Sequence, residues 1–391
     1  MYQIEKTEER YRDKPWEISY DQRIIRLKEA KTLGQKTVAY LYPGFDSSTF
    51  RYRGFNVAET LDYSFNWSGS YFQYTDREEL IRDFQYIDVM VLIRCYWDDR
   101  MDEFIRLIRE KHIRLCYDVD DLIYNPYHMP AVIEALGLSQ DAELNFWFGL
   151  TQRNYMIAQQ CDVLITTNDF LAGYLKKDFE KPCYTLCNYL NGFQERVSEE
   201  YFEKKQQVDT QNPFAIGYFS GSPTHVRDIS MIMPEIEEFL NNHPETIFKI
   251  VGYMELPERY CYLVTKDRIQ FVPFQTFVDL QYEQAKVDIN VVPLVNNVFS
   301  NCKSELKYFE SAIVGTVTCA TPSFTYANAI KSGQNGFLCE TGDWLKAFEK
   351  IYSNANDKQL QRTIREWALR EYSGKNQVKK VETILNDIVN M

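Results

Sequence analysis

The sequence predicts an α/β protein of two successive doubly wound domains, followed by C-terminal helices. From Lys36 onward, short runs that are apolar throughout alternate with amphipathic stretches, which is typical of parallel strands covered by helices on both faces. A polar segment at 202–213 interrupts this alternation, which then restarts. The 391 residues, 45% of them hydrophobic, also exceed what one core usually supports.

The strands are predicted from apolar runs bounded by polar residues. In the first half these runs are "KTVAYLY" (36–42), "DVMVLIR" (88–94), "RLCYDV" (114–119), "DVLITT" (162–167) and "CYTLCN" (183–188). In the second half they are "FAIGYFS" (214–220), "FKIVGY" (248–253), "RIQFVP" (268–273), "DINVVPL" (288–294) and "TVTCAT" (316–321). Apolar residues at spacings of three and four predict helices between the strands and over most of 342–390.

These patterns divide the chain into four segments. We predict a charged N-terminal extension over 1–35, an N-terminal domain over 36–205, a C-terminal domain over 212–370 and a final helix over 371–391. Whether that helix packs back on the N-terminal domain stays open. Two doubly wound domains in series bind ligands in the cleft at the carboxyl ends of their strands, so functional residues are expected in the loops that follow strands.

Composition excludes several classes of function. A net charge of −12 argues against general nucleic-acid binding, which needs clustered positive charge. The nine cysteines show neither disulfide nor zinc spacing, so we predict buried free thiols, no metal site and a reducing compartment. The N-terminus lacks the apolar core of a signal peptide, and no apolar run is long enough to span a bilayer. We therefore predict a cytoplasmic protein, with peripheral contact at the inner face of a membrane left open.

The stretch "NCKSELKYFESAIVGTVTCAT" (301–321) combines charge with apolar periodicity. It follows a predicted strand, and Ser300 or Asn301 is a natural N-cap for a helix over 302–315. A helical wheel places Lys303, Lys307 and Glu310 in a stripe beside the apolar face. The helix N-terminus and an ammonium suit a diphosphate, and a carboxylate roughly 10 Å further along suits ribose hydroxyls. An ordinary solvated Lys–Glu face is the alternative.

The segment "KSELKYFESAIVGTVTCATPSFTYANAIKSGQNGFLCE" resembles the donor-binding segment of GT-B glycosyltransferases, especially family 4. In that group a Glu is followed by small and apolar residues, a Gly, an apolar strand and a "dG.nGfl" turn. Glu310, Gly315, "TVTCAT" and "SGQNGFL" occur here in that order. A weaker resemblance extends to the first half through "FRYRGFNVAETL" (50–61). The resemblance implies the GT-B fold, in which two Rossmann-like domains face a cleft.

The resemblance also implies how a donor is held. Glu310 would bind the ribose, and the stretch from Val272 to Phe274 would lie along the base. The diphosphate would lie between the start of the 302–315 helix, with Lys303 and Ser304, and the loop "SGSPTHVRD" (220–228). The candidates within that loop are Gly221, Ser222, Thr224, His225 and Arg227. A plain turn with an N-cap is the alternative for the loop.

The sequence departs from the family pattern in two places. Family 4 usually has two glutamates eight residues apart, and the residue eight before Glu310 is Cys302. Glu305 lies nearby but is expected on another face of the helix. The Gly-Arg followed by Lys that is usual in the phosphate-binding loop of the family is absent here. We hypothesise that Lys303 supplies the missing positive charge. The missing glutamate leaves the identity of the donor sugar open.

The stretch "RLCYDVDDLIYNP" (114–126) places Asp118, Asp120 and Asp121 just after a predicted strand. Asp-x-Asp binds a Mn²⁺-diphosphate in the GT-A architecture, but that architecture would leave the second α/β domain unexplained. In a GT-B protein, Asp120 or Asp121 would orient an acceptor hydroxyl or act as a base, and with Lys303 they are the catalytic candidates. Candidates on the acceptor side are Asp118, Gly44, Arg51 and Arg53. Capping of a solvated loop is the alternative.

Together these observations predict a glycosyltransferase of the hexosyltransferase type in polysaccharide or glycoconjugate synthesis. The resemblance implies retention of configuration without a metal or other cofactor, the nucleotide-diphosphate-sugar being the donor substrate. The acceptor would be a glycan, a lipid-linked molecule or a protein, and oligomerisation stays open. Two alternatives remain: a non-catalytic GT-B partner subunit of an active transferase, and a GT-B-like UDP-sugar epimerase.

Overall fold

The computed structural model describes residues 2–6, 14–45, 48–208, 213–221 and 226–391. The chain forms two compact units. The N-terminal unit consists of Lys14–Gly192, Asn301–Ser304 and Ser373–Met391, and the C-terminal unit consists of Phe193–Ser300 and Glu305–Tyr372 together with the start of the chain.

The described part of the N-terminal unit contains a six-stranded parallel sheet in the order β2-β1-β3-β4-β5-β6. Its strands are β1 (Lys36–Tyr42), β2 (Trp67–Gln73), β3 (Val89–Ile93), β4 (Arg114–Val119), β5 (Val163–Thr166) and β6 (Cys183–Thr185). β3 and β5 are buried at every position, as expected for strands covered on both faces. β2 is missing from the sequence-based prediction because its residues "WSGSYFQ" include several that are small and polar.

The helices of this unit connect the strands. They are α1 (Tyr20–Thr32), α2 (Ser48–Phe50), α3 (Asn56–Thr60), α4 (Arg77–Asp83), α5 (Asp99–Glu110), α6 (Met129–Leu136), α7 (Asp141–Gln160) and α8 (Asp169–Phe179). α5 shows why they form: apolar residues at spacings of three and four bury one face, and the Asp98 side chain caps its N-terminus by accepting from Met101 N at 2.7 Å. α1 belongs to the N-terminal unit, where Arg23 forms a buried ion pair with Asp76 at 2.6 Å.

The described part of the C-terminal unit repeats the architecture in the order β12-β11-β10-β7-β8-β9, again parallel. Its strands are β7 (Ala215–Ser220), β8 (Ile247–Gly252), β9 (Ile269–Val272), β10 (Ile289–Val292), β11 (Val317–Ala320) and β12 (Phe337–Leu338). Its sheet order reverses direction on either side of β7 and β10, as in other doubly wound sheets. The predicted fold class, α/β with two doubly wound sheets, is confirmed.

The remaining helices complete both units. They are α9 (Gly192–Gln207), α10 (Val226–Ser230), α11 (Met233–Asn242), α12 (Cys261–Thr265), α13 (Phe277–Ala285), α14 (Val298–Asn301), α15 (Leu306–Ala312), α16 (Phe324–Ala329), α17 (Trp344–Ser353), α18 (Lys358–Tyr372) and α19 (Gly374–Val389). α19 belongs to the N-terminal unit, where Asn386 Oδ1 accepts a hydrogen bond from Trp67 Nε1 at 3.1 Å.

Two findings bear on the composition-based expectations. Seven cysteines are buried, as predicted, while Cys187 is half-buried and Cys261 is exposed; all nine are free thiols. Across the described ranges, no helix has both the length and the apolar character needed to cross a bilayer.

Candidate functional site

Charged residues from distant parts of the chain meet at the carboxyl ends of β3 and β4 in the N-terminal unit. Asp120 and Asp121 follow β4, Arg94 follows β3, and Lys303 comes from the segment Asn301–Ser304. Asp121 Oδ2 lies 3.5 Å from Lys303 Nζ and 3.9 Å from Arg94 Nη2. Arg94 Nε also donates to Asp120 Oδ1. We call these four residues the aspartate cluster; it brings together the three catalytic candidates predicted from the sequence.

The charges of the aspartate cluster stabilise one another. Burial lowers the pKa of the Arg94 guanidinium, but the carboxylates of Asp120 and Asp121 outweigh this effect and raise that pKa above its ordinary value. Thr49 Oγ1 donates to Asp120 Oδ2 at 3.1 Å. The two adjacent carboxylates are thus matched by a guanidinium and an ammonium, an arrangement that can present a carboxylate oxygen to a hydroxyl group.

The segment Asn301–Ser304 is anchored in the N-terminal unit by the loop after β5. Asn168 Nδ2 donates to the backbone oxygen of Cys302 at 2.8 Å, while Asn168 Oδ1 caps α8 by accepting from Leu171 N at 2.9 Å. Ser304 Oγ is buried and has no hydrogen-bond partner among the described residues. The side chain of Lys303 is 24% exposed.

The residues predicted for the acceptor side differ in burial. Arg53 and Asp118 are 1% and 2% exposed and form a two-point ion pair with distances of 2.9 and 2.7 Å. Arg53 Nη1 also donates to the backbone oxygen of Leu186 at 2.6 Å. This burial favours a structural role for the pair over direct contact with an acceptor. Arg51 is buried too, with its guanidinium 4.8 Å from the Tyr52 ring, while Gly44 is half-buried in the loop after β1.

In the C-terminal unit, the loop predicted to bind the diphosphate follows β7. Gly221 is exposed directly after this strand, and Arg227 is exposed on α10. Ser222, Thr224 and His225 lie outside the described residues. Asp228 Oδ1 accepts from the backbone N–H of Val295 at 3.0 Å, which joins α10 to the loop after β10. This contact brings the start of α10 close to the loop after β10 at the carboxyl edge of the sheet.

The helix predicted over 302–315 is shorter than expected, and its predicted N-cap is wrong. Ser300 and Asn301 lie inside α14, a turn follows, and α15 begins at Leu306 with Glu305 in the N-cap position. The contacts of Asn168 with Cys302 and of Asp121 with Lys303 hold this turn apart from α15. The predicted stripe of Lys303, Lys307 and Glu310 therefore does not form on one helix.

Glu310 is 3% exposed on α15 and lies near Tyr326. Burial first, and then the carboxylates of Glu305 and Glu310, raise the pKa of the Tyr326 hydroxyl well above its ordinary value. Glu305 is buried as well, and its Oε1 accepts from Tyr372 Oη at 2.9 Å. Lys307 is half-buried, with its ammonium 5.4 Å from the Tyr218 ring. Contact between Glu310 and a ribose stays a prediction.

Sequence reasoning missed several polar residues around α15. Tyr326 lies near Glu305 and Glu310, and Tyr372 donates a hydrogen bond to Glu305. Asn335 Nδ2 donates to Tyr308 Oη at 2.8 Å. Buried polar atoms without a hydrogen-bond partner among the described residues include Asn290 Oδ1, Ser311 Oγ and Ser323 Oγ. Buried polar atoms in proteins are usually paired with protein, water or ligand. The position of Ser323 just after β11 is the signal that could have singled it out.

Two exposed aromatic rings lie where β8 and β9 end. Tyr253 follows β8 and is 50% exposed, and Phe274 follows β9 and is 60% exposed. Their ring centroids are 5.7 Å apart with an interplanar angle of 34°. Val272, the last residue of β9, is half-buried. Phe274 and Val272 were singled out from the sequence, but Tyr253 was missed, although it directly follows the strand "FKIVG".

Among the described residues, no group of three or more His, Cys, Asp or Glu side chains is arranged to hold a metal ion. The aspartate cluster has two carboxylates, each already facing a cation.

No protein-family model matches the sequence, and no curated protein matches it. Solved structures do. Anabaena HepE in complex with UDP and glucose matches with a TM-score of 0.58 and 13% identity, covering 90% of this chain and 100% of that chain. A glycosyltransferase from Rickettsia africae matches with a TM-score of 0.61 and 10% identity, covering 91% and 99%. The sucrose-phosphate synthase of Thermosynechococcus elongatus matches with a TM-score of 0.59 and 12% identity, covering 91% and 100%.

At these identities the likeness shows the fold alone. The chain has the GT-B fold, with two Rossmann-like units, as the sequence resemblance implied. Membership of family 4 stays a prediction.

Proposed function

We propose that the protein is a glycosyltransferase that moves a sugar from a nucleotide-diphosphate donor to a glycan, lipid-linked or protein acceptor. One observation carries this proposal: the GT-B fold is shared over the full length of HepE, whose structure holds UDP and glucose. The pneumococcal O-GlcNAc transferase GtfA, solved with UDP and GlcNAc, is a further neighbour with a TM-score of 0.53 and 13% identity. Since one fold can serve many functions, the proposal also depends on whether the residues of the site suit sugar transfer.

The carboxyl edge of the C-terminal sheet suits a nucleotide-sugar. Exposed Gly221 leaves room for a phosphate to approach the backbone, because no atom of the non-adjacent described residues lies within 4 Å of where a Cβ would be. Arg227 would add positive charge on α10. The exposed rings of Tyr253 and Phe274 offer faces on which a base can stack. Glu310 would accept hydrogen bonds from the ribose if its side chain turns toward the ligand.

The aspartate cluster would serve the transfer step. The bond from the sugar to the diphosphate breaks, a bond to the acceptor oxygen forms, and the acceptor proton passes to a carboxylate or to the released diphosphate. Asp120 or Asp121 would orient the acceptor hydroxyl by accepting its hydrogen bond. Lys303, 3.5 Å from Asp121 and partly exposed, would stabilise the negative charge that develops on the leaving diphosphate. Retention of configuration is the outcome that the family resemblance implies.

A thermal-shift screen against UDP, GDP, ADP and their sugars tests this function. A ligand at about 100 times its Kd stabilises the folded state by about 2.7 kcal/mol, which a melting curve resolves. We expect at least one nucleotide to stabilise the protein and its sugar form to be consumed when acceptor or water is supplied. Phe274→Ala and Tyr253→Ala should each weaken nucleotide binding by about 1–3 kcal/mol if the base stacks there.

A matched control is Tyr262→Ala, which removes a tyrosine of 36% exposure on α12 that is bonded to Glu237. It should leave nucleotide affinity unchanged. Failure of every nucleotide to bind the wild-type protein would overturn the proposed function.

The alternative of a catalytically silent partner subunit is favoured by one observation. At the position where the resembled family has its first glutamate, this chain has Cys302. Burial, and then Asp121, raises the pKa of this thiol above its ordinary value, so the position carries no negative charge at neutral pH. A silent subunit would consume no sugar nucleotide in the screen described above.

A further inference from the structure

The backbone at the end of β3 adopts a conformation that side chains rarely tolerate. Arg94, the residue after β3, has a φ of 44°, in the left-handed region. The other described non-glycine residues with positive φ each lie within three residues after a helix: His112, Glu180, Asp267 and Asn356. Arg94 instead follows a central strand of a parallel sheet. Strain of this kind concentrates at functional sites.

The left-handed turn allows Arg94 to make two kinds of contact at once. Its backbone N–H donates to the backbone oxygen of Asp118 at 2.9 Å, which continues the pairing of β3 with β4. Its guanidinium then lies against the residues that follow β4, with Nε bonded to Asp120 and Nη2 3.9 Å from Asp121. Only a planar guanidinium has donors spaced to meet both carboxylates, because a lysine ammonium acts as a single point charge.

We propose that Arg94 is a positioning residue for sugar transfer, which holds Asp120 and Asp121 in place and, through Asp121, fixes the ammonium of Lys303. This inference rests on the proposed function, and it assigns a role to a residue that no sequence motif singled out. Arg94 itself touches neither donor nor acceptor. It acts by keeping two neighbouring carboxylates, which repel each other, in one fixed geometry beside Lys303.

No other residue near Asp120 and Asp121 that we have described can hold both carboxylates in place. Arg53 is buried against Asp118 and donates its remaining hydrogen bonds to Leu186 O and Asn188 Oδ1. Thr49 supplies Asp120 with one neutral hydrogen bond. Without Arg94, Lys303 would be the remaining cation of the aspartate cluster, and its flexible side chain would be drawn toward both carboxylates. Its ammonium would then no longer have a single position.

The test compares Arg94→Met and Arg94→Lys with the wild-type protein, using the sugar nucleotide that the thermal-shift screen selects. Nucleotide Kd, donor KM and kcat are measured separately, with water or a glycan as acceptor. We expect Arg94→Met to lower kcat by about 100-fold, the size of effect caused by small misplacement of reacting groups. Nucleotide Kd should change far less than kcat, and Arg94→Lys should restore part of kcat because it keeps the charge but not the two-point contact.

Arg94→Gly distinguishes the effect of losing the guanidinium from the effect of placing a different side chain on a strained backbone. Glycine adopts a positive φ without penalty, so this variant should fold even if Arg94→Met does not, and it should show the same loss of kcat. The matched control is Arg26→Met, which removes an arginine paired with Asp62 in the same unit at similar side-chain exposure, 30% against 23%. The control should keep the wild-type kcat.

The outcomes separate this inference from the function on which it rests. A wild-type protein that binds no nucleotide would overturn the proposed function. A wild-type protein that turns over donor while Arg94→Met and Arg94→Gly do so equally well would overturn the role of Arg94 alone. A parallel loss of nucleotide binding and melting temperature in both variants would show that Arg94 only supports the fold, which would also overturn the inference.

Discussion

Glu305 and Glu310, five positions apart, show that the surroundings of a residue determine its role. Glu305 and Glu310 are both buried in the C-terminal unit. Glu305 accepts a hydrogen bond from Tyr372 at 2.9 Å and holds the N-cap position of α15, so its contacts support the local fold. Glu310 lies within α15, where the family resemblance implies contact with a ribose. The two side chains therefore form a natural matched pair.

We predict that Glu310→Ala weakens binding of the sugar nucleotide more than Glu305→Ala does. Loss of hydrogen bonds to a charged group costs about 1.5–3 kcal/mol, or roughly a 10-fold to 150-fold increase in Kd. Glu305→Ala should mainly lower the melting temperature, because it removes the buried hydrogen bond from Tyr372 Oη. Calorimetric titration and thermal melts measure the two effects. Small and equal changes in Kd would contradict the assignment of Glu310.

A second residue-scale prediction concerns Lys205, which is fully buried in the C-terminal unit. Its ammonium donates to Thr316 Oγ1 at 2.7 Å and to Val287 O at 3.1 Å, and it lies 4.4 Å from the Tyr2 ring. Burial lowers its pKa from 10.5 to about 7, although Asp288 opposes the shift. The folded state therefore releases this proton more readily than the unfolded chain.

Between about pH 7 and pH 10 the unfolded chain binds more protons at Lys205, so this residue contributes stability that grows as pH rises through that range. Relative to Lys205→Met, the wild-type free energy of unfolding should rise by up to about 1.4 kcal/mol per pH unit. Urea melts of both proteins at several pH values provide the measurement. If the free energy of unfolding of the two proteins changed with pH in the same way, the pKa of Lys205 would not be lowered by folding, and the prediction would be contradicted.

At the scale of elements, the ends of β7 and β8 combine tight packing with open space. Ser220 pairs with Gly252, whose φ is 97°, and a Cβ on Gly252 would lie 2.0 Å from Ser220 O. The next residue after β7 is Gly221, where a Cβ would meet no atom of the non-adjacent described residues within 4 Å. Gly252 is thus required by the strand pairing, whereas no described residue beyond the chain neighbours opposes a side chain at Gly221.

We predict opposite effects for alanine at these two positions. Gly252→Ala should destabilise the fold by about 3 kcal/mol or more, because it combines a steric clash with an unfavourable φ. Gly221→Ala should change stability by less than about 0.5 kcal/mol but weaken nucleotide binding, since a methyl group would stand where a phosphate approaches the backbone. Melting curves and nucleotide titrations distinguish them. Unchanged nucleotide affinity in Gly221→Ala would remove this glycine from the donor site.

Element boundaries also show where sequence patterns stop being informative. The runs at 36–42 and 114–119 coincide with β1 and β4, because both strands are largely buried and most of their residues are apolar. The run 67–73 gave no such signal, and pairing with β1 makes it a strand. The predicted helix over 302–315 is interrupted because Asn168, 134 positions away, bonds to Cys302 O. Such a contact leaves no trace in local periodicity.

At the scale of the whole molecule, each unit is assembled from separate parts of the chain. The N-terminal unit takes up Asn301–Ser304 and Ser373–Met391 in addition to its main segment. Residues at the start of the chain belong to the C-terminal unit, where Tyr2 N donates to Lys286 O at 2.8 Å and Gln361 Nε2 donates to Tyr2 Oη at 2.5 Å. Lys303 therefore shares a unit with Asp121, although most of its sequence neighbours belong to the other unit.

The whole-molecule prediction concerns metals. Because we propose that cationic side chains such as Lys303 and Arg227 stabilise the leaving diphosphate, we expect sugar transfer to persist in EDTA at the rate seen without it. Donor consumption with and without chelator provides the measurement. Complete loss of activity that Mn²⁺ restores would contradict this expectation and favour metal binding by the acidic residues after β4.

The fold class, the order of most strands along the chain and the positions where polar residues follow them could all be predicted from the sequence. These properties depend on local apolar periodicity, which a single chain displays directly. Three contacts could not be predicted in this way: the buried ion pair of Arg53 with Asp118, the pairing of Lys303 with Asp121, and the position of Arg94 between the two carboxylates. These contacts join residues far apart in sequence, so they exist only once the sheet has brought its strand ends together.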